Sequence, residues 1–230
     1  MKINIDRFKE LYRYKRRLES GHFLIEGKKN IDLAIKFGFN PLLYSCELID
    51  GYEQVTSHQI KGVTGNYFVK EIGICRNYEA NFDFNQVFFI FDNIVDYGNI
   101  GTIIRTIYSF GFKNLIFIVE NNDIWHHKTI EASRGLIFAQ KPFYETKEKV
   151  LEILKNNNIK LVNIDINGED INSYSFPKSK YGFVFGNETN GISSDFKLNC
   201  IKTLTIPTHF ESLNVAIAAG IVSFNCKFKN

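Results

Sequence analysis

The sequence predicts an α/β protein whose longer, C-terminal part is built on a parallel sheet. Three observations predict it. From residue 86 onward, short apolar runs alternate with helical stretches, the alternation of βαβ units. The runs at 86–91, 114–119, 160–164, 181–185 and 202–206 are apolar at nearly consecutive positions, as strands buried on both faces are. Between the first two, Ile100, Ile103, Ile104 and Ile107 recur at i, i+3, i+4 and i+7, the stripe of a helix lying on a core.

The first element is a basic helix over residues 6–19. Its stretch 7–17 holds Arg7, Lys9, Arg13, Lys15, Arg16 and Arg17 against Glu10, with Tyr12 and Tyr14 interleaved. Such a run is either a solvated helix face or a patch that displaces counterions from an RNA backbone while its aromatics stack on bases. A strand-like HFLIEG follows, then a helix through Ile31, Ala34 and Ile35, then the strand-like PLLYS. Together these make a smaller α/β unit over residues 1–80. The polar, turn-rich NYEANFDFN at 77–85 is the linker, and 86–230 is the second domain.

In that second domain the helix that follows Asn99 turns Thr102, Arg105 and Ser109 away from its apolar stripe. Another helix, over residues 146–157, stops at three consecutive asparagines. The strand at 181–185 runs into GNETNGIS, where Glu188 lies between Gly186 and Gly191, as a helix cap or as a working carboxylate. The last strand ends at Pro207, and a short loop leads to a helix near Ser212, a residue suited to N-cap it. That helix is rich in small residues: Ala216, Ala218, Ala219 and Gly220.

Composition excludes several classes. With 22 Phe, 11 Tyr and 44% hydrophobic residues in 230, there is ample material for a core, which rules out disorder. The longest apolar stretch, 215–224, is far too short to span a bilayer, and MKINIDRFKE lacks the apolar region of a signal peptide, so the expectation is cytoplasmic. Cys46, Cys75, Cys200 and Cys226 form no CxxC pair, so neither zinc nor any other metal site is expected. The adjacent His126 and His127 point to different sides of any element and are poor co-ligands. A net charge of +3 is mildly basic and, as a total, names no partner.

Three segments carry chemistry: DNIVDYGNIGTIIR at 92–105, FVFGNETNGIS at 183–193 and TIPTHFESLNVAIAAG at 205–220. Gly98 and Gly101 do not have the GxGxxG spacing, and no GxxxxGK[ST] occurs, so a Rossmann dinucleotide enzyme and a P-loop ATPase are excluded. In order and at strand ends, the three segments resemble the motifs of the SpoU/TrmH family of RNA 2′-O-ribose methyltransferases, of the SPOUT class. The resemblance lies in Asn99, Gly101 and Arg105, in Gly186-Asn187-Glu188 with Gly191, and in Ile206-Pro207 with Glu211-Ser212-Leu213-Asn214-Val215. Residues 20–35 are similar to the ribosomal-protein-like RNA-binding domain found at the N-terminus of many members.

The resemblance implies a deep trefoil knot in the C-terminal third and an S-adenosyl-L-methionine site held by backbone near Gly186, Ile206 and Leu213. It also implies a homodimer and an RNA substrate, ribosomal RNA before transfer RNA because of the N-terminal module. Arg105, Asn99, Glu188, Ser212 and Asn214 would then be the catalytic set, with Arg13, Lys15, Arg16 and Arg17 touching RNA. A guanidinium with a pKa above about 12 is a reluctant base, so Arg105 suits an electrostatic clamp on the alkoxide and a neighbouring phosphate. Asn99 and Glu188 would orient it and the ribose, while Ser212 and Asn214 position the hydroxyl. Two departures stand out: the loop Thr208–Glu211 is two residues shorter than usual, and Tyr97 stands where proline is common. The competing readings are a transfer-RNA enzyme and an RNA or ribosome binder that kept the fold without the chemistry.

Overall fold

In the computed structural model, which describes residues 5–118, 120, 123–187 and 189–229 and only the backbone at Asp6 and Arg7, the chain builds two sheets. A 3-10 helix, Ile5–Tyr12, and α1, Tyr14–Ser20, precede β1, His22–Glu26. Then come α2 (Lys28–Lys36), β2 (Leu42–Ser45), β3 (Glu53–Gln54), α3 (Ser57–Thr64) and β4 (Glu71–Arg76). The four strands form a mixed sheet in the order β1-β4-β2-β3.

The single basic helix expected over 6–19 is in fact two. Ile5, Phe8 and Leu11 are buried at a spacing of three, which is the 3-10 period, and they pack with Tyr44, Ile60, Val63 and Ile72. Arg13 is extended (φ −90°, ψ 124°) and separates this turn from α1. In α2 the buried residues are Ile31 and Ala34, whereas Ile35 is exposed.

After a connection through residues 77–87, the second sheet begins with β5 (Phe88–Asp92), α4 (Tyr97–Ser109), β6 (Asn114–Ile118), α5 (His127–Ala132) and α6 (Ile137–Gln140). It continues with β7 (Phe143–Glu145), α7 (Lys147–Asn156), β8 (Lys160–Asp170), β9 (Tyr181–Phe185), α8 (Ser194–Asn199), β10 (Cys200–Thr205) and α9 (Val215–Phe228). Its order is β10-β8-β9-β5-β6-β7, every pair parallel. β5 and β6 are buried at all five positions, as their uninterrupted apolar sequence requires. The isoleucine stripe of α4 is fully buried and Thr102, Arg105 and Ser109 face outward. That helix begins at Tyr97, two residues ahead of Asn99, because Asp96 caps it by accepting the Asn99 N–H at 2.7 Å.

The two sheets share one core. Phe23 of β1 stacks flat on Trp125 at 3.7 Å between ring centroids, and Phe39, Tyr78 and Phe138 close round the indole. A β-carbon on Gly101 would come within 2.5 Å of the Ala132 β-carbon and 2.7 Å of the Thr129 carbonyl, so its absence lets α4 lie directly on α5. All four cysteines are unpaired, Cys75 and Cys226 buried and Cys46 and Cys200 half-buried. No described helix is long and apolar enough to cross a membrane.

Candidate functional site

Beyond Ile164, β8 outruns its pairing with β9, and its register with β10 shifts between Thr203 and Leu204. The residues released from the ladder bow outward at the C-terminal end of the sheet, where open α/β folds hold their ligands. Together with the loops leaving β9 and β10 they enclose a cavity of about 310 Å³. Ile164, Ile166, Phe185, Ile206, Leu213 and Val215 give it apolar walls, while Asp165, Asn167, Asn187, Thr205, Thr208 and Ser212 give it polar groups. Apolar walls with a few convergent polar groups are the usual make-up of a small-molecule site.

Gly186 is where the cavity depends on a missing atom. A β-carbon there would sit 2.1 Å from the Gly191 carbonyl carbon and 2.3 Å from the Ile192 nitrogen. The chain folds back on itself at this point. Asn187 N–H donates to the Gly191 carbonyl at 3.2 Å and Gly191 N–H returns to the Asn187 carbonyl at 2.9 Å, with Gly191 left-handed at φ +65°. The turn is tied to the end of β5 by two further bonds: Asn187 Nδ2 to the Asn93 carbonyl (3.2 Å) and the Ser193 N–H to the buried Asp92 carboxylate (2.7 Å).

Of the residues singled out in the sequence, Gly186, Ile206, Leu213 and Ser212 all line the cavity. Ser212 is exposed and does not cap the last helix. That helix starts at Val215, and Asn214 is its N-cap, its Oδ1 accepting the Ala216 N–H at 2.9 Å. Asn214 Nδ2 donates to Asn99 Oδ1 at 3.0 Å, so one side chain caps α9 and ties it to the first turn of α4. Arg105 is exposed on α4, and its guanidinium meets no partner among the described residues. Its expected positioning by Asn99 is therefore not a direct bond in this structure. Glu188 lies outside the described residues.

The basic patch divides. Arg13 and Lys15 are exposed, and Arg16 is exposed but engaged by Glu10 (2.7 Å) and Glu19 (2.9 Å). Arg17 corrects the expectation that it touches RNA. It is 3% exposed, its Nε donates to the buried Asp123 carboxylate at 2.7 Å and its Nη1 to the Leu11 carbonyl. Tyr12 is half-buried, its hydroxyl proton is shared between Glu26 and the Thr64 carbonyl, and its ring lies tilted against His127 at 5.5 Å. Burial pushes the Asp123 carboxyl up even though Arg17 opposes the shift. Next to this pair, His126 stacks on Tyr97 at 4.0 Å with the rings 4° apart, and burial first, then His127 and Arg17, holds His126 down to about 4.

Sequence reading missed Asp92, Asp165, Asn167 and Thr205. Asp92 could have been noticed as a carboxylate closing an otherwise apolar strand. Thr205 opens the third segment, whereas Asp165 and Asn167 are placed by the outward bow of β8 and its register shift, which leave no local signal.

A family model described as the SpoU rRNA Methylase family matches residues 86–224. The 23S rRNA (guanosine(2553)-2′-O)-methyltransferase RlmP of Bacillus subtilis is 23% identical over 96% of this chain and 94% of its own. The 23S rRNA (adenosine(1067)-2′-O)-methyltransferase of Streptomyces laurentii is 28% identical over 57% of this chain. This chain spans 64% of the length of an uncharacterized tRNA/rRNA methyltransferase of Borreliella burgdorferi and about half of the Streptomyces laurentii and Streptomyces azureus relatives (50% and 51%). Among solved structures, the SpoU methyltransferase AviRb of Streptomyces viridochromogenes in complex with AdoMet superposes over 100% of this chain and 98% of its own with a TM-score of 0.88 at 20% identity. An AdoMet-bound rRNA methyltransferase of Sinorhizobium meliloti does so over 96% of this chain and 93% of its own, with a TM-score of 0.83 at 23% identity. At these identities the structural likeness speaks for the fold.

Proposed function

The chain belongs to the SpoU rRNA methylase family, and on that premise we propose that it is an S-adenosyl-L-methionine-dependent RNA 2′-O-ribose methyltransferase acting on ribosomal RNA. The observation that carries this reading is the cavity itself. Its lining comes from the second and third motif segments together with residues 164–167 of β8, and Asn214–Asn99 and Asn187–Asn93 bind the first segment to it. The cavity also fits the cofactor. Apolar side chains can sandwich an adenine, the close turn at Gly186 presents backbone groups, and Asp165, Asn187 and Ser212 offer partners to ribose hydroxyls and the ammonium end. α9 packs against α4, a contact in keeping with the knot that the family resemblance implies.

S-adenosylmethionine, when bound, supplies a sulfonium methyl for in-line transfer to a ribose 2′-oxygen. The hydroxyl must lose its proton as it attacks, and this chain's task is to make that loss cheap. Arg105, solvent-facing and unpaired among the described residues, takes the role of a charge clamp on the forming alkoxide and the adjacent RNA phosphate, which relays the proton to water. Asn214 and Asn99 hold the start of α9 and the start of α4 at a fixed separation, and Ser212 positions the hydroxyl from the cavity rim. Glu188 keeps the orienting role its motif assigns.

The same reading covers the partners. α9 leaves Ile217, Phe224 and Phe228 exposed as one stripe, with Tyr108 of α4 exposed as well, an apolar face suited to a second copy of the chain. Residues 1–80 serve as the RNA-binding domain and 86–230 as the methyltransferase domain, with Arg13, Lys15 and Arg16 on the RNA side. The cytoplasm is the compartment where such a substrate is met. Incubation of the protein with methyl-labelled cofactor and protein-free ribosomal RNA tests the proposal. Label should enter RNA as alkali-resistant 2′-O-methyl nucleotides at one site. Binding of RNA without any transfer would support the non-catalytic reading instead.

A further inference from the structure

At the seam between the two sheets lies a second cavity, of about 500 Å³. His22 of β1, Asn40 ahead of β2, Arg76 and Asn77 at the end of β4, and Lys141 just after α6 supply its polar lining, beside the apolar walls of Phe39, Leu42, Ile74 and Tyr78. None of its described lining residues is a carboxylate. His22 Nδ1 donates to the Ser20 carbonyl at 2.6 Å, which leaves Nε2 to accept from Arg76 Nε at 3.4 Å. The rest of the Arg76 guanidinium has no acidic partner among the described residues. Lys141 likewise forms no ion pair there, and its ammonium lies 5.2 Å from the centre of the Phe39 ring.

One detail sets this cavity apart from an incidental cluster of surface charge. Lys141 is left-handed (φ 48°, ψ 63°) at the C-cap of α6, a position where glycine sits without strain, so a cation is held there against backbone preference.

A guanidinium and an ammonium at the edge of a carboxylate-free cavity are a phosphate's partners. From this we infer that the seam cavity is a phosphate subsite that grips the RNA backbone at a nucleotide remote from the reacting ribose. The inference rests on the proposed RNA methyltransferase function. Lys141 leads into β7, three strand spacings from β9, which at roughly 4.8 Å each is on the order of 14 Å across the sheet. Lys141 also lies before the start of its strand, whereas the first cavity lies at the strands' C-terminal ends, so the two cavities are farther apart than that. A contact at that remove acts on binding, not on the transfer step.

The test is the double variant R76Q/K141G in the full-length protein. K141G removes the charge while relieving a left-handed lysine, so folding is expected to hold, as thermal unfolding and cofactor titration would register. Affinity for protein-free large-subunit ribosomal RNA should fall about tenfold or more at moderate salt. The slope of log Kd against log salt should lessen by about 1.5, two phosphate-contacting cations being lost. In methyl transfer the KM for RNA should rise with kcat unchanged. An unaltered affinity and salt slope in a folded double variant overturns the subsite. So does thermal protection of the wild type by inorganic phosphate, lost in the variant while RNA binding is unmoved, which would assign the cavity to free phosphate. Failure of the wild type to transfer methyl groups is a separate result. It removes the enzyme reading, and the RNA-binding comparison then still decides the subsite.

Discussion

At the scale of single residues, the site divides into a group that acts on charge and a group that makes room. Arg105 is exposed, and no described side chain engages it, so removing it disturbs no packing. Arg105→Ala should lower methyl transfer about 10²–10³-fold, the range for loss of one electrostatic stabiliser. Cofactor affinity and unfolding midpoint should stay at wild-type values. A variant that kept near-full transfer would remove the clamp role. Gly186 is the opposite case. Its alanine variant would drive a methyl group into the backbone of Gly191 and Ile192, 2.1–2.3 Å away, and backbone cannot step aside as a flexible side chain does. The turn must then open, detaching Asn187 from Asn93. Gly186→Ala should therefore abolish cofactor binding in calorimetry and cost about 1–3 kcal/mol in denaturant unfolding. Retained cofactor affinity would show that the turn is not part of that site.

At the scale of elements, the start of α5 carries a dependence on pH. His126 is its N-cap, Nδ1 accepting the Lys128 N–H at 3.3 Å, and the ring is held neutral down to about 4 by burial, by His127 and by Arg17. The unfolded chain binds that proton near pH 6.5 and the folded chain does not, so stability falls as pH drops from about 6.5 to about 4 and levels off below. The effect at this partly buried ring is on the order of 2 kcal/mol. His126→Asn keeps a capping side chain without a titrating one, so its urea midpoint should fall less than the wild type's across that window. Parallel curves would refute the assignment. How legible each element was follows the same physics. α4, β5 and β6 were readable because all their information is local: a 3.6-residue stripe, or five consecutive buried positions. The first helix was misread because charge at 7–17 masked a three-residue apolar period in Ile5, Phe8 and Leu11. The outward bow of β8, which brings Asp165 and Asn167 to the cavity, depends on the partners of a strand and not on its own residues.

At the scale of the whole molecule, the two sheets are held by Phe23 on Trp125 and by Arg17 with Asp123, a pair 106 residues apart in the chain. No local pattern could reveal that pair, and for the same reason Arg17 looked like one more member of a basic face. Both side chains are almost fully buried, 4% and 0% exposed, so neither charge has water to fall back on. Removing one partner strands the other, which costs about 3–5 kcal/mol, whereas replacing both with apolar residues of similar volume is often neutral. Arg17→Ala should therefore lower the free energy of unfolding in urea by that amount, and Arg17→Met with Asp123→Leu should recover most of it. In the folded double variant, RNA affinity and its salt slope should match the wild type. Arg13→Ala with Lys15→Ala should do the reverse, holding stability and lowering the slope by about 1.5. If the Arg17/Asp123 double variant instead lost RNA affinity at full stability, the buried pair would be shaping the RNA surface as well as joining the two sheets.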